Sequence, residues 1–321
     1  MVSLNFAVIG AAGYIAPRHI KAISDTGNVL KAAMDPHDSV GILDRYFSDV
    51  QFFTEFERFD RYLEKKRRGP TDDHIDYISI CSPNYLHDAH IRLALRIGAN
   101  AICEKPIVIN PWNLDALQEL EQEYGRRVFT VLQLRVHPTL TRLKEKMQSS
   151  RTNRKHNVNL TYVTARGPWY RTSWKGSEPH SGGLATNIGI HLFDLMVWFF
   201  GNIQKTELHL RHPETISGFT ELDHAYVRWF LSIDNQYLPF SPEPGVRTTY
   251  RSIEIDGEEV EFTEGFTDLH TVLYERTLEG HGFGIDDART SVELVHRIRH
   301  QDAAVNLETE HALCRKIRSS R

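Results

Sequence analysis

The sequence has little cysteine, no strong excess of charge of either sign and no long apolar run. Its three cysteines, Cys81, Cys103 and Cys314, are too few for a disulfide framework, so we expect a reduced, cytoplasmic protein. With 38 basic and 42 acidic residues the net charge is −4, which gives no reason to expect a nucleic-acid partner. The apolar run at 195–200 is too short to cross a bilayer and no segment has a secretory-signal pattern, so no membrane partner is expected.

Two patterns follow one another along the 321 residues. Up to residue 134, strand patterns alternate with helical ones, which is typical of parallel βαβ units. Beyond it, strands follow strands, which predicts an antiparallel or mixed open sheet. We therefore predict an α/β protein. Residues 1–134 form a first domain with a parallel sheet, and residues 135–321 form an α+β domain with a large, open, mainly antiparallel sheet.

The individual elements follow from apolar periodicity and from glycine and proline positions. In the first domain we predict strands at 4–9, 29–34, 51–53, 75–80, 101–103 and 128–134, and helices at 17–24, within 40–68, at 90–97 and at 111–124. In the second domain we predict helices at 138–147, 188–200, 267–278 and 286–299, and strands at 158–165, 206–212, 226–233, 250–255 and 259–262. A hairpin turn at 256–257 joins the last two strands.

A glycine-rich turn follows the first strand and precedes the first helix. Such turns let the backbone approach the pyrophosphate of a dinucleotide, which then binds helix N–H groups. The fit to the G-x-G-x-x-G pattern is partial, because Ala12 and Ile15 occupy the second and third glycine positions. The residues expected to contact the pyrophosphate are Gly10, Ala12, Gly13, Tyr14 and Ile15.

Asp35 ends the second strand, about 20 residues beyond the glycine turn. An acid at that position accepts hydrogen bonds from the adenosine ribose and repels a 2′-phosphate, which favours NAD over NADP. The alternative is that Asp35 caps the turn ahead of Pro36. Together with the glycine turn, Asp35 indicates that residues 1–134 are an NAD-binding domain of the Rossmann type.

Polar side chains stand at two further strand ends: Ser82 and Asn84 after one strand, Glu104 and Lys105 after the next. Open α/β sheets bind ligands in the crevice at these ends, so we expect the nicotinamide nearby. Burial would lower the pKa of a lysine there, and a nearby carboxylate would raise it. The alternative for Glu104 and Lys105 is an ordinary surface pair.

The apolar helix predicted at 188–200 carries His191 and Asp194 and is preceded by Asn187, at spacings that place the three on one face. Polar groups on such a helix are costly unless they are paired or functional. His191 is suited to accept a hydroxyl proton, and a satisfied core histidine is the alternative. The histidine pairs 87/90 and 296/300 suggest no third ligand, so no metal site is predicted.

Cations and aromatic residues are mixed between positions 166 and 176. Arginine makes bidentate bonds to carboxylate or phosphate, and aromatic faces suit sugar or base rings. The alternative is a loop whose aromatic residues pack between the domains. The residues expected to bind substrate here are Arg166, Trp169, Tyr170, Trp174 and Lys175.

Taken together, these motifs resemble the Gfo/Idh/MocA oxidoreductases. Glu104-Lys105-Pro106 and the segment with Asn187, His191 and Asp194 after paired glycines match the motifs of that family. Within it, the chain is most similar to the WlbA/WbpB-type UDP-N-acetyl-2-amino-2-deoxyglucuronate dehydrogenases. The segments that carry this similarity lie at 10–19, 80–87, 173–176, 187–191, 249–253 and 264–270.

The resemblance implies NAD-dependent oxidation of the C3′ hydroxyl of UDP-N-acetyl-glucosaminuronate (UDP-GlcNAcA), on the way to a 2,3-diamino-2,3-dideoxy uronic acid of lipopolysaccharide. It also implies a homotetramer whose open sheets pack face to face. Some members recycle the cofactor with 2-oxoglutarate, and the sequence leaves open whether this chain does.

The same resemblance implies that Lys105 and His191 are the catalytic pair, one as base and the other stabilising the reacting oxygen. The sequence does not fix which residue takes which role. Further cofactor contacts are implied for Ser82, Asn84, His87, Glu104, Lys105 and Gln133. Further substrate contacts are implied for Lys105, Asn187, His191 and Arg251.

Two other functions remain open at this point. One is a dehydrogenase of another nucleotide-linked or free pyranoside, which only the 166–176 segment argues against. The other is a non-catalytic NAD-binding sensor. A sensor would not need Lys105 and His191 together, so the presence of both favours an enzyme.

Overall fold

The computed structural model describes residues 3–149, 154–241, 248–262, 265 and 267–319. Its strands are β1 Asn5–Ile9, β2 Val29–Met34, β3 Gln51–Phe53, β4 Tyr77–Ile80, β5 Asn100–Cys103, β6 Val128–Thr130, β7 His156–Thr164, β8 Ile203–His212, β9 Thr215–Leu222, β10 Ala225–Ser232, β11 Thr249–Ile255 and β12 Glu258–Glu261. Its helices are α1 Ala16–Asp25, α2 Phe56–Arg67, α3 His87–Arg96, α4 Trp112–Tyr124, α5 Pro138–Ser149, α6 Trp169–Thr172, α7 Glu178–Ser181, α8 Ile190–Phe200, α9 Leu269–Leu278, α10 Ile285–His300 and α11 Ala312–Ser319.

The chain divides into two compact units: Met1–Gln133 with Thr267–Arg289, and Leu134–Phe266 with Thr290–Arg321. The first unit contains a six-stranded parallel sheet in the order β3-β2-β1-β4-β5-β6, which confirms the predicted parallel sheet. The strand order changes direction between β1 and β4, where sheets of this type bind ligands at their carboxyl ends. We predicted a single division at residue 134. In the structure, residues 267–289 belong to the first unit as well.

Side-chain contacts with β1 and α1 hold α9 in the first unit. The ring of Tyr274 lies 5.9 Å from that of Phe6, which also stacks on Tyr77 at 5.1 Å. Thr271 donates a hydrogen bond to Asp25 at 2.9 Å. Phe6 is fully buried, and truncating such a residue to alanine costs about 3–5 kcal/mol.

The second unit contains a six-stranded sheet in the order β12-β11-β7-β10-β9-β8. Strands β7 and β10 are parallel and the other neighbouring pairs are antiparallel, which confirms the predicted open, mainly antiparallel sheet. The sequence pattern does not indicate β9, because Gly218 interrupts it. The fold requires that glycine: a Cβ there would lie 2.2 Å from the Glu207 carbonyl oxygen and 2.4 Å from the Trp229 ring.

Several predicted elements differ from the structure in extent. Before β3 the chain forms a 3₁₀ turn at Leu43–Arg45 instead of the expected helix, because Gly41 and the polar turn residues before it do not sustain one. The strand predicted at 128–134 ends at Thr130, and a 3₁₀ turn follows at Gln133–Val136. Helix α11 is not indicated by the sequence pattern. Residues 264 and 266 of the 264–270 motif lie outside the described residues.

One stretch, Glu178–Phe200, is long and apolar enough to cross a membrane by length and composition. In the fold it comprises α7, a π-helical turn and α8, and 67% of its most apolar window is buried inside the protein. Burial of this kind is typical of the core helix of a folded domain.

His311 is a buried histidine of the second unit whose neighbours favour its neutral form. Its ring stacks on Phe230 with centroids 5.6 Å apart, and its Nδ1 accepts a hydrogen bond from the Leu313 amide at 3.2 Å. Burial, with a smaller effect of the nearby Arg228 charge, lowers the pKa of His311 to about 4. The unfolded chain therefore takes up a proton near pH 6.5, while the folded chain does not until pH falls to about 4.

Stability of the second unit should therefore fall on acidification. Between pH 7 and pH 5 we expect His311 to remove about 2 kcal/mol from the free energy of unfolding. His311→Asn keeps an acceptor for the Leu313 amide but cannot titrate. Between pH 7 and pH 5, its free energy of unfolding should therefore fall by about 2 kcal/mol less than that of the wild type. Urea unfolding followed by circular dichroism at both pH values measures the difference. Equal losses in the two proteins would contradict the assignment.

Candidate active site

The glycine turn after β1 packs against the segment that follows β4. Gly10 has a φ of +85°, and a Cβ there would lie 2.7 Å from backbone atoms of that segment. The Gly13 amide closes the turn by donating to the Gly10 carbonyl at 3.0 Å. Among the described residues, none accepts a hydrogen bond from the amides of Tyr14 and Ile15 at the start of α1. The turn thus combines a close backbone approach with available N–H groups, which suits a pyrophosphate.

Asp35 accepts a backbone hydrogen bond on each carboxylate oxygen. The Ala12 amide donates to Oδ2 at 3.0 Å and the His37 amide donates to Oδ1 at 2.9 Å. The carboxylate therefore caps its own turn, the alternative we considered from sequence, and it also holds the glycine turn. A carboxylate has about four acceptor positions, so these two bonds leave capacity for ribose hydroxyls.

Ser82, Asn84 and His87 follow the carboxyl end of β4, and all three are buried. The two ring nitrogens of His87 lie 2.7 Å from the Pro106 carbonyl oxygen and 2.8 Å from that of Ser82. The Ser82 hydroxyl lies 2.8 Å from Nδ1 of His90. Burial lowers the pKa of His90 to about 4 and keeps that ring neutral. Burial lowers the pKa of His87, so its ring is neutral and its one N–H donates to one of the two carbonyl oxygens. His87 was expected from sequence as a cofactor contact, and the structure shows it in contact with the backbone.

Glu104 follows β5 and contacts two histidines that the sequence reasoning did not select. Its Oε1 accepts hydrogen bonds from Nε2 of His19 at 3.0 Å and from Nε2 of His270 at 3.1 Å. Burial alone would raise the pKa of Glu104, but these bonds outweigh burial and hold the pKa well below its usual range. Glu104 is therefore ionised at neutral pH. Lys105 beside it is half-buried, as is Gln133 after β6.

His19, Glu104 and His270 are residue types that also bind metals, and their polar atoms lie within 4.8 Å of one another. The observed contacts have ordinary hydrogen-bond lengths, so hydrogen bonding accounts for the cluster. A sequence signal for both histidines exists: they fall in the 10–19 and 264–270 segments of the family resemblance.

His191 lies in the first turn of α8, directly after a π-helical turn at Ala185–Gly189. We expected a regular helix from 188 that placed Asn187 and His191 on one face. The π turn alters that spacing, and such turns occur frequently at functional sites. Asn187 is buried and donates from Nδ2 to the Tyr170 hydroxyl at 2.9 Å, while His191 is half-buried.

Asp194, one turn further along α8, has a separate structural partner. Its carboxylate accepts hydrogen bonds from Nε and Nη2 of Arg135 at 3.0 and 2.7 Å, and both side chains are almost fully buried. Breaking a buried bidentate pair by removing one partner costs about 3–5 kcal/mol. The pair therefore anchors α8 to the segment before α5.

Two of the predicted substrate residues, Tyr170 and Lys175, line a cavity of about 740 Å³ within the second unit. The Lys175 ammonium lies 4.8 Å from the ring centre of Trp174 and 5.5 Å from that of Trp169. Tyr170 is buried and its hydroxyl holds Asn187. Three arginines that we did not select from sequence line the same cavity: Arg171, Arg211 and Arg299.

The other two predicted cations lie elsewhere in the second unit. Arg166 is exposed on the segment after β7. Arg251 on β11 packs its guanidinium 4.8 Å from the ring centre of Tyr162 on the neighbouring strand and donates to the Tyr162 hydroxyl at 3.2 Å. Neither side chain lines the cavity that Lys175 borders.

The sheet order, the glycine turn and the strand-end acid of the first unit are typical of a dinucleotide-binding domain. The family model described as the NAD-binding Rossmann fold of the Gfo/Idh/MocA oxidoreductases matches residues 4–132. The model of the family's C-terminal alpha/beta domain matches residues 154–298. The chain therefore belongs to the Gfo/Idh/MocA oxidoreductase family, as the resemblance implied.

Solved structures and curated proteins include relatives at different distances. The WlbA (WbpB) dehydrogenase from Thermus thermophilus, solved with NAD and UDP-GlcNAcA and with NAD and alpha-ketoglutarate, is 51% identical over 97% of this chain and 99% of that chain, with a TM-score of 0.91. The WlbA dehydrogenase from Bordetella pertussis is 19% identical over 94% of this chain and 97% of its own, with a TM-score of 0.75, and shares the fold. The putative oxidoreductase YteT of Bacillus subtilis is 22% identical over 68% of this chain. The matched region spans 60% of the length of that relative.

Gly10→Ala should damage both the fold and NAD binding, because the added Cβ meets backbone atoms that cannot move aside. Gly27→Ala is the matched control, since Gly27 also has a positive φ but nothing lies within 4 Å of its Cβ position. We expect the control to lose about 1 kcal/mol of stability with unchanged NAD affinity. Gly10→Ala should lose more stability and roughly tenfold or more in affinity.

Thermal unfolding and titration of NADH fluorescence measure both effects. If Gly10→Ala matches Gly27→Ala in both measurements, the turn at Gly10 does not approach the β4 segment and the cofactor as described.

Proposed function

We propose that the protein is an NAD-dependent dehydrogenase that oxidises the C3′ hydroxyl of UDP-GlcNAcA to a ketone. The observation that carries this proposal is the 51% identity over 97% of the chain to a dehydrogenase solved with NAD and UDP-GlcNAcA. The strand-end residues of the first unit support the reaction type, because they form a site suited to a dinucleotide. When bound there, NAD supplies the acceptor for the hydride that leaves C3′.

The chain's own residues have two tasks in this proposal. A base must take the proton of the C3′ hydroxyl, and a donor must stabilise negative charge that develops on that oxygen. We assign the first task to a ring nitrogen of His191 and the second to Nζ of Lys105. Asn187, held by Tyr170, lies in the turn that precedes His191 and helps to orient the substrate.

The anionic parts of the substrate require cations. We propose that Lys175, which borders the cavity in the second unit, binds the uronate carboxylate or the diphosphate. Arg171, Arg211 and Arg299 add positive charge to the same cavity, and Glu178 and Glu214 offset part of it. Arg166 and Arg251 remain candidates for the second anionic group.

We propose further that 2-oxoglutarate can reoxidise the reduced cofactor and is itself reduced to 2-hydroxyglutarate. The support is that the 51% identical dehydrogenase was solved with NAD and alpha-ketoglutarate. We also propose a homotetramer acting in lipopolysaccharide sugar biosynthesis in the cytoplasm. A monomeric mass in analytical ultracentrifugation would contradict the assembly.

The purified protein should produce NADH from NAD and UDP-GlcNAcA, followed by absorbance at the reduced-nicotinamide band. UDP-N-acetylglucosamine, which lacks the carboxylate, should give little or no signal. Adding 2-oxoglutarate should lower the NADH signal and yield 2-hydroxyglutarate. Turnover of UDP-N-acetylglucosamine in place of the uronate would indicate a different sugar dehydrogenase, and NAD binding without turnover of any sugar would indicate a sensor.

Lys105→Ala and His191→Asn should each lower kcat by about 10²–10⁴-fold while the affinity for NAD changes little, because both act on the reacting oxygen. Lys65→Ala is the control, since Lys65 is an exposed lysine of α2. Steady-state kinetics and NADH titration separate the two quantities. Near-normal turnover in His191→Asn would make His191 an ordinary core histidine, and an active Lys105→Ala would remove its catalytic role.

A further inference from the structure

Glu104 carries its charge in the interior of the first unit, next in sequence to Lys105. A buried carboxylate is costly unless donors surround it. His19 and His270 donate to Oε1, and the Lys105 amide donates to Oε2 at 3.2 Å. Three donors thus converge on one carboxylate, and one of them is the backbone of the proposed catalytic residue.

A chain of hydrogen bonds fixes which nitrogen of His19 carries the proton. The Tyr274 hydroxyl lies 2.7 Å from His19 Nδ1 and is itself in contact with the Ser79 hydroxyl. Burial raises the pKa of Tyr274 well above its usual value and lowers that of His19, so the phenol keeps its proton and the ring is neutral. A neutral imidazole has one N–H. Glu104 is ionised and can only accept, so His19 carries its proton on Nε2 and donates to Glu104, while Nδ1 accepts from the Tyr274 hydroxyl.

A third histidine contacts the backbone on the other side of Lys105. His87 is buried, and its ring nitrogens lie within hydrogen-bond distance of the carbonyl oxygens of Pro106 and Ser82. Burial lowers the pKa of His87, so its ring is neutral and its one N–H donates to one of these two oxygens. His87 therefore packs against the backbone after Lys105, while the Glu104 network holds the backbone before it.

Packing alone does not account for this network. Apolar side chains of similar volume would fill the interior without the cost of burying a charge and several polar groups. Two of the donors instead come from α1 and α9, elements far apart in sequence, and the third is the Lys105 amide; all three converge on Glu104, the residue adjacent to Lys105. Supporting polar groups that lock the neighbours of a functional side chain are a common way to fix its position.

We propose that His19 and His270 are positioning residues that fix the backbone at Lys105 through Glu104 and thereby aim its ammonium group. His19, Glu104, Lys105 and His270 all belong to the first unit, so the effect on the backbone involves that unit alone. The consequence for turnover rests on the proposed function, in which Lys105 acts on the substrate oxygen. Neither histidine contacts substrate in this proposal.

The test compares His270→Leu, which removes the donor to Glu104, with His270→Gln, which retains an N–H near the position of Nε2. Hydrogen exchange of the Lys105 amide, resolved by mass spectrometry, reports the Glu104 contact without substrate or cofactor. We expect His270→Leu to exchange this amide about tenfold faster or more, and His270→Gln to stay within about threefold of the wild type. Exchange in β10 of the second unit should not change in either variant.

Turnover supplies the second measurement. With UDP-GlcNAcA, His270→Leu should lose roughly tenfold to a hundredfold in kcat, while KM for NAD stays within about threefold. His270→Gln should recover most of that loss. If His270→Leu does not fold, Tyr274→Phe replaces it, because it removes only the hydroxyl that orients His19 and should still speed exchange of the Lys105 amide.

Several outcomes would overturn the proposal. Unchanged exchange at Lys105 in His270→Leu or Tyr274→Phe would show that the network does not hold this backbone. Equal kcat in the Leu and Gln variants would remove the functional role of the donor. If the purified protein holds one equivalent of metal bound by His19, Glu104 and His270, these residues form a metal site and the hydrogen-bonded network is wrong. Absence of turnover in the wild type would instead count against the proposed function, and the exchange result would still decide the positioning role.

Discussion

The ionised carboxylate of Glu104, buried at the end of β5, is the constraint on which the first unit depends. Glu104 cannot remain charged in the interior without donors, and the Lys105 amide directly after β5 supplies one of the three. The other two come from His19 on α1 and His270 on α9. Helix α9 comes after the second unit's sheet in sequence and yet belongs to the first unit, where Tyr274 also packs on Phe6. The first unit is therefore discontinuous in sequence, and the returning segment supplies His270, which donates to the buried carboxylate of Glu104.

The second unit also buries a carboxylate, that of Asp194, and stabilises it with an ion pair instead of histidine donors. Helix α8 is almost wholly apolar, and its buried Asp194 is neutralised by a bidentate bond to Arg135. That ion pair anchors the helix, and the π turn before it changes the spacing so that Asn187 reaches Tyr170. His191 follows immediately at the start of the regular helix. In each unit, the proposed catalytic side chain is half-buried and lies near a buried residue that is held by hydrogen bonds: Glu104 beside Lys105, and Asn187 in the turn before His191.

Local patterns in the sequence were sufficient for much of this architecture. Apolar runs and punctuating glycines located β1 to β5 closely, and the Asp256–Gly257 hairpin appears as predicted, with positive φ at both residues. Strand β9 was not predicted because Gly218 breaks its apolar pattern. A glycine is needed there because the Trp229 ring on the next strand leaves no room for a Cβ. That requirement depends on a cross-strand contact, which periodicity along one segment does not encode.

The site shows the same division between local and long-range information. Placement of Asp35, Ser82 and Lys105 at strand ends followed from the order of elements. The partners of Glu104 did not, because His19 and His270 are separated from it by 85 and 166 residues. The buried position of Tyr170 and the arginines around the cavity likewise depend on tertiary packing, so residue type alone could not distinguish a substrate contact from a supporting one.

In the proposed reaction, a hydride leaves C3′ of the sugar. This step is tested most directly with UDP-GlcNAcA deuterated at C3′, followed by mass spectrometry of the reduced cofactor and the sugar product. We expect NADH to carry one deuterium, and we expect the sugar product to be the 3-keto compound without deuterium at that carbon. Unlabelled NADH, or a product that retains the C3′ deuterium, would contradict the proposed reaction.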